Sequence, residues 1–326
     1  MRERKVDVVG LGENATDIVM RLRSFPAPGG KQRIQDVVRL AGGSVASALV
    51  TCRRLGLSVR YLGVVGGDDH GRFQLASLRA EHLDLNYLRR AEGARSRVSH
   101  IAIDESTGER TIFWERDRRL DFPAGGITAG MLNGAGVLHL DSTDLRAALA
   151  AARLARRAGM TVVADLDTMA PGIDRLLPLL DYPIVSAEFL APATGERDPF
   201  LALERLARDS GARLVGVTLG RDGALVLTAG RFVYSPGFRI DAIDTTGAGD
   251  IFHGAFIYGL VRGWKLEETL GFSNAMAALN STALGARGGI ATEPAARRLM
   301  ARGRRNVNRD FAHRARRIES LGHLGH

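Results

Sequence analysis

Asp244-Thr-Thr-Gly247-Ala-Gly249-Asp250-Ile-Phe-His-Gly254 is the stretch richest in potential chemistry. It reads as a glycine-rich turn that opens a helix. Gly247 and Gly249 let successive backbone N–H groups converge, and the helix N-terminus adds partial positive charge. Such a cradle suits a phosphoryl group in transfer. A carboxylate in the same turn hinders simple phosphate binding but makes sense as a base taking a proton from an attacking hydroxyl. The same residues would also serve as a capped helix start, with the Asp as dipole partner. Composition alone favours phosphoryl transfer between these two.

Other chemical patterns are weaker. Gly10-Leu-Gly12-Glu-Asn-Ala15 fits the G-x-G-x-x-A dinucleotide fingerprint of an NAD-dependent oxidoreductase, but that motif needs a helix to follow. Here Pro26 and Pro28 arrive within about a dozen residues, and Asp36 lies in a polar extended stretch. Gly42-Gly-Ser44-Val-Ala46 imitates a nucleophile elbow, yet no histidine stands in a suitable context. No lysine has Walker A spacing, no H-E-x-x-H pattern occurs, and Cys52 is the only cysteine, excluding internal disulfides and Cys-based zinc sites.

The elements that must position these residues follow from hydrophobic patterning. Val6–Gly12 reads as a buried strand running into a turn, and Ser44–Leu55 as a helix ended by Gly56. Val59–Val65 reads as a strand and His70–His82 as a helix. Beyond Pro123, strands at 136–140, 161–165, 183–186 and 214–218 alternate with helices at 145–158, near 173–180 and at 199–210. Short, continuously apolar strands between helices imply a doubly wound, mainly parallel α/β sheet covered on both faces. Helices at 248–262 and 266–284 close it. Residues 13–41 and 97–118 break the alternation. The latter reads as a hairpin around Glu105-Ser106-Thr107-Gly108, and together they predict a small β lid. The domain reading is a core of 1–12, 42–96 and 119–300, the lid of 13–41 and 97–118, and a basic C-terminal helix and tail at 301–326.

The 326 residues are 45% apolar and 25% charged, an ordinary globular balance with a sizeable core. The longest apolar run, Ile251–Val261, is interrupted by His253, Gly254 and Gly259 and is far short of a bilayer span. Met-Arg-Glu-Arg-Lys leads into a strand rather than a signal core. No membrane partner is expected, and cytoplasmic residence is the default reading. The net charge of +9 could suggest nucleic acid. However, only three of the 45 basic residues are lysines, Lys5, Lys31 and Lys265. The arginines are scattered except for Arg302, Arg304, Arg305, Arg309, Arg314, Arg316 and Arg317 before Gly-His-Leu-Gly-His. That cluster is read as a solvated final helix and frayed tail, so no nucleic-acid partner is expected.

The Asp244–Gly254 stretch resembles the C-terminal signature of the ribokinase-like (PfkB) carbohydrate kinases. The resemblance extends over residues 5 to about 295. Gly42-Gly43 before an Ala-rich helix ending Leu55-Gly56 resembles the family's N-terminal signature. Val65-Gly-Gly-Asp68-Asp-His-Gly71, Val217-Thr218-Leu-Gly220-Arg-Asp-Gly223 and Gly285-Ala-Arg-Gly288-Gly289 resemble further family elements. It implies a ribokinase-like fold and ATP-dependent phosphorylation of a sugar hydroxyl, with Asp250 as general base and the N–H groups of Gly247, Ala248 and Gly249 as the anion hole. It places Asp17 as the sugar-binding acid at the lid hinge, with Gly42 and Gly43 allowing close sugar approach. It places Thr218, Gly220, Gly223 and Asn274 at the nucleotide. Asp244 and Thr246, with the 283–289 loop, would hold a monovalent cation such as K⁺, and Mg²⁺ would accompany ATP.

Two departures stand out. Ser47 occupies a place where the family often has a sugar-touching Asn. Ser186-Ala-Glu188-Phe189 replaces the N-x-x-E element tied to magnesium, with Glu188 as a candidate stand-in. Both departures, with Phe252-His253 and Gly288-Gly289-Ile290, resemble the ketohexokinase and sulfofructose kinase branch and favour a ketohexose-like sugar over ribose or an adenosine-type nucleoside. Lys31 could meet an anionic substrate group or be a solvated lid residue. A sugar or nucleotide sensor without catalysis is the alternative on the same fold. Alternation of Val98, Ile101 or Ile103, Ile112 and Trp114 on the lid hairpin predicts a lid-mediated homodimer.

Overall fold

A computed structural model describes residues 6–106, 110–123 and 125–322, with side chains to 316. The expected hairpin tip at Thr107 and Gly108, the first five residues and the terminal His323–His326 lie outside the described residues. The main sheet has eight strands, in the order 231–235, 224–228, 215–218, 182–186, 161–166, 137–140, 8–11 and 59–62. The last six run parallel; the hairpin 224–235 adds the antiparallel edge. This is the expected doubly wound architecture.

Burial on both faces explains the uninterrupted apolar strands. Val8 joins one core cluster and its neighbour Val9 the other, since successive side chains point to opposite faces of a sheet. One layer contains helices Leu145–Arg157 and Pro199–Ser210. The other contains Ser44–Arg54, Ala248–Val261 and Leu266–Asn280. Helices 44–54 and 248–261 approach closely at Gly254, where a Cβ would press on Ala48 O and Thr51.

The lid is a four-stranded sheet in the order Asp36–Gly42, Ala15–Leu22, Val98–Asp104, Arg110–Glu115. Because Gly12 leads into strand 15–22 rather than a helix, the dinucleotide fingerprint at Gly10–Ala15 has no helix N-terminus to offer a pyrophosphate. The apolar lid residues do not share one face. Ile101 pairs with Ile112 and Ser99 with Trp114, and Ile101, Ile112 and Trp114 face inward, whereas Val98 is one residue out of phase with them. Phe113, on the opposite face from Ile112 and Trp114, is 62% exposed.

Other expectations need correction. The 59–65 segment is two strands, and only Val59–Leu62 belongs to the main sheet; Val64–Gly66 pairs with Arg89–Ala91. The helix expected near 173–180 is two 3₁₀ turns, 173–175 and 177–179, and the helix expected over 266–284 ends at Asn280. The C-terminal segment is docked rather than solvated. Arg305–Asn306 pairs with Gly237–Phe238, and helix Arg309–Gly322 brings Phe311 against Phe200 and Tyr234. Arg314 forks onto the Asp198 carboxylate at 2.7 and 2.9 Å. Among the described residues, no helix is long and apolar enough to cross a membrane.

Candidate active site

Two cavities meet at the turn preceding helix 248–261. The first, about 510 Å³, lies under the lid and is lined by Asp17, Gly43, Trp114, Asp167, Gly247 and Asp250, among others. The second, about 580 Å³, is lined by Gly220, Phe238, Ile240, Thr245, Ala248 and Asn274, among others. The 245–250 turn is therefore a shared wall, with Asp250 on the lid side and Thr245 and Ala248 on the other.

The turn's geometry follows from its glycines. Gly247 has φ 76°, and a Cβ there would strike Ala286, so only glycine fits comfortably. A Cβ on Gly249 would meet nothing within 4 Å, so its backbone faces open space. Ala248 N–H donates to Thr245 O at 3.2 Å and Ile251 N–H to Gly247 O at 2.9 Å. Of the three expected anion-hole donors, this leaves the N–H groups of Gly247 and Gly249 without a partner among the described residues.

Asp250 stands in the first turn of the helix. Burial, reinforced by the nearby Asp165 and opposed by His253, raises its carboxyl to about 7. One turn on, His253 is fully buried. Its Nδ1 lies 2.8 Å from Gly249 O and 3.2 Å from Asp165 Oδ2, while Nε2 lies 3.1 Å from Ile184 O. Burial raises Asp165 well above the usual carboxylate range and lowers His253. Both groups are thereby driven toward their neutral forms.

Asp17 is 3% exposed and faces the lid-side cavity. Burial raises it to about 6, against the pull of Arg287 and Arg97. Gly42 serves Asp17 rather than opening onto the cavity, because a Cβ at Gly42 would overlap the Asp17 carboxylate. Gly43 does line the cavity. Ser47 does not: it is fully buried and accepts from Arg287 Nε at 3.0 Å. The same guanidinium donates to Gly42 O at 2.5 Å and to Asn14 Oδ1 at 3.3 Å, so it occupies the space below the lid hinge. Lys31 is exposed on the lid loop and Glu188 is exposed in the first turn of helix Ala187–Thr194; neither lines either of these two cavities.

On the second side, Gly220 and Asn274 line the cavity, and Asn274 Nδ2 donates to Ser235 O at 2.9 Å. Thr218 and Gly223 are not among its lining residues. Gly223 instead lets its turn press on the 235–237 backbone. Asp244 is 1% exposed and accepts from Thr246 N at 2.8 Å and Gly285 N at 2.8 Å, tying the 283–289 loop to the turn. The buried Thr246 hydroxyl has no hydrogen-bond partner among the described residues. Among the described residues there is no cluster of three or more His, Cys, Asp or Glu able to hold a metal ion.

Several cavity residues escaped the sequence reading. Glu13, Ser142, Thr143 and Asp167 follow the C-terminal ends of parallel strands, where open α/β sheets bind ligands. Asp141, also at a strand end, accepts from Glu13 N–H at 2.8 Å and from the Ser44 hydroxyl at 2.7 Å, so Ser44 has a carboxylate partner and no histidine. Glu13 is raised to about 8 by burial, despite its ion pair with Arg97. Arg97 also stacks over Trp114, 4.3 Å from the ring centroid.

This arrangement can hold a hydroxyl beside a carboxylate and an anion beside backbone N–H groups, with a separate cavity behind the anion. The pfkB family carbohydrate kinase model matches residues 4–293. The chain belongs to the pfkB family of carbohydrate kinases. It is 31% identical over 287 residues to an ATP-dependent ribose-1-phosphate kinase of Halopiger xanaduensis, covering 86% of this chain and 94% of that one. It is 30% identical over 296 residues to a fructokinase of Klebsiella pneumoniae, covering 79% and 90%. The solved Arabidopsis thaliana ribokinase, complexed with ribose and ATP, superimposes with a TM-score of 0.79 over 90% of this chain and 98% of that one, at 23% identity. The ribokinase-like fold expected for this carbohydrate kinase is thus the observed one.

Proposed function

We propose that this carbohydrate kinase transfers the γ-phosphoryl group of ATP to a hydroxyl of a ketohexose-like sugar held under the lid. The observation carrying this reading is the shared wall: Asp250 borders one cavity while Ala248 and Thr245 border the other. A phosphoryl group passing between nucleotide and sugar must cross there. The sugar oxygen forms its bond to γ-phosphorus as the β–γ bridging P–O bond breaks. The bridging electron pair leaves on ADP, and the hydroxyl proton passes to the Asp250 carboxylate. N–H groups of Gly247 and Gly249 bear on the transferred oxygens, and Ala248 closes the turn between them. Asp17 orients the sugar, Gly43 permits its close approach, and the lid excludes water.

Mg²⁺ usually keeps several waters and is shared with substrate phosphates. On this reading the ion would be carried by ATP and would supply charge neutralisation. For K⁺, Asp244 and Thr246 with the 283–289 loop are the residues that would hold it, and the unpartnered Thr246 hydroxyl fits that role. Dependence on ATP is consistent with action in the cytoplasm. The unpaired lid edge at 110–115 and exposed Phe113 support a lid-mediated homodimer.

The fructokinase relative supports a ketohexose, and the ribose-1-phosphate kinase relative names the competing pentose. Measured ADP formation over a panel of ketohexoses, acid-bearing ketoses, ribose and adenosine tests the choice. A kcat/KM for ribose or adenosine more than about tenfold above every ketose, equivalent to about 1.4 kcal/mol, would overturn it.

A further inference from the structure

Part of the second cavity's wall comes from chain beyond residue 293, where the family match ends. Helix Glu293–Arg302 stops at Gly303, where a Cβ would press on Leu299 O and the Phe238 ring. This close approach lets the chain run on beside the cavity, and Arg305–Asn306 pairs with Gly237–Phe238. Arg305 lays its guanidinium over the Phe238 ring, 3.6 Å from the centroid, and donates to Pro236 O at 3.0 Å. Asn308 fastens the other end. Its Nδ2 donates to Asp222 Oδ2 at 3.3 Å. Its N–H donates at 3.0 Å to the Tyr234 hydroxyl, which itself donates to Asp222 O at 2.8 Å. The segment therefore braces both Phe238 and the 220–222 turn, and Phe238, Gly220 and Arg221 line the cavity.

Between these anchors Asn306 lines the cavity itself. Its Nδ2 donates to Arg221 O at 3.2 Å and to Phe238 O at 3.3 Å. With both amide hydrogens spent on carbonyls, the orientation of the amide is fixed by its partners. Oδ1 is left as the free end, with no hydrogen-bond partner among the described residues. Asn274 repeats the arrangement from helix 266–280. It is 6% exposed, and its Nδ2 is taken by Ser235 O at 2.9 Å and Ser235 Oγ at 3.0 Å. Ser281 is also committed, since its hydroxyl donates to Ala277 O at 3.0 Å. Arg221 and Asp241 are exposed. What the two amides offer a ligand is therefore a pair of acceptors. An acceptor facing a bound ligand favours a donor there and penalises a second acceptor.

We propose that Asn306 is a specificity-determining residue for the nucleotide, its Oδ1 accepting a hydrogen bond from the exocyclic amine of a 6-aminopurine base. This rests on the reading of the second cavity as the ATP site. A 6-amino group satisfies the oxygen, whereas a 6-oxo group sets two acceptors face to face. The base is thus read by a segment appended to the part of the chain that matches the family. The contact is separate from the lid-side chemistry, so it acts on nucleotide binding and leaves sugar binding and the transfer step alone.

The test crosses protein variants with nucleotides. Wild type, Asn306→Ala, Asn306→Leu and Asn308→Ala are assayed with ATP and with inosine triphosphate, whose 6-oxo group replaces the amine, using the best sugar of the panel. Binding of ADP and inosine diphosphate is measured by calorimetry without sugar, and thermal melting checks the fold. Wild type should favour ATP over inosine triphosphate by about tenfold or more in kcat/KM, with the same preference between the diphosphates. Asn306→Ala should raise the ATP KM about tenfold and leave the inosine triphosphate KM, the sugar KM and kcat within about threefold, so that the preference collapses. Asn306→Leu, which keeps the wall filled without an acceptor, should collapse it equally. Asn308→Ala loosens the brace without touching the acceptor, and should shift both nucleotides together with the preference intact. The proposal is overturned if wild type treats the two bases alike, if the Asn306 variants weaken both nucleotides equally, or if Asn308→Ala collapses the preference as fully. Sugar turnover by a wild type indifferent to the base would sink this proposal and keep the kinase reading. No turnover on any sugar, with an Asn306-dependent preference for ADP over inosine diphosphate, would sink the substrate reading and keep this one.

Discussion

The two cavities that share the 245–250 turn are built from opposite materials. The lid-side wall carries Glu13, Asp17, Arg97, Arg110, Arg116, Asp167 and Asp250. The other wall is mostly apolar, with Phe238, Ile240, Ala242, Ala248, Ala277 and Ala278, and carries only two charged residues, Arg221 and Asp241, beside polar groups such as Asn274 and Asn306. A hydroxyl-rich ligand presents many donors and acceptors, and a site that pairs them leaves costly unpaired groups when a wrong ligand binds. A flat heterocycle needs shape, apolar contact and a few fixed polar groups. On the proposed function, the difference assigns discrimination between sugars to ionisable side chains on the lid side and leaves the proposed nucleotide side to work largely by shape. It also makes the lid side the pH-sensitive half of the molecule.

The largest expected effect falls on the shared wall. Asp250→Asn should lower kcat by about 10²–10⁴-fold with little change in ATP affinity. Stability should move the other way. An unfolded Asp titrates near 3.8 and the folded Asp250 near 7, so between those values the native state holds the extra proton. The group's contribution therefore becomes less favourable as pH rises through this window. Asp250→Asn should accordingly raise Tm at pH 8 more than at pH 5, measurable by calorimetry.

Next in size is Asp17→Ala, which leaves sugar hydroxyls unpaired and should weaken sugar binding by roughly 2–3 kcal/mol while ATP binding persists. An unchanged sugar KM would reduce Asp17 to a turn residue. The matching test of the apolar half is Ala278→Trp, which fills that cavity. Nucleotide KM should rise about tenfold or more, a cost of at least about 1.4 kcal/mol, with sugar KM unchanged; equal effects on both ligands would erase the proposed division. A milder probe is pH: kcat/KM should fall tenfold per unit below about 7 as Asp250 takes up a proton, and Ala278→Trp should leave that limb in place. The smallest effect concerns assembly. Light scattering at micromolar concentration should report a dimer, and Phe113→Asp on the outer lid face should shift it toward monomer.

Much of the frame was legible because it is local. Short, continuously apolar strands, as expected for burial on both faces, dictate the covered parallel sheet, and Gly247 with Asp250 marks the turn by spacing alone. Asp17 was singled out only through the family resemblance; its position just past the first strand's turn does not by itself mark it. What escaped depends on contacts distant in sequence. The Ser47 hydroxyl is taken by Arg287, 240 residues away, and nothing near Ser47 signals it. Asp165, Asp167 and Asp141 sit at or just beyond strand ends with no motif around them, although strand-end position is itself a usable signal in this architecture. Asn306 lines the apolar cavity through a two-residue strand set among arginines, a context whose charge reads as solvated.

The most direct test is ³¹P NMR of ATP–Mg²⁺ incubated with the sugar panel and either wild type or Asp250→Asn. Wild type should convert the γ-phosphorus signal into a sugar phosphomonoester in step with ADP, and Asp250→Asn should leave ATP intact over the same interval. Equal phosphomonoester formation by Asp250→Asn, or conversion of ATP by wild type to inorganic phosphate alone, would contradict the account.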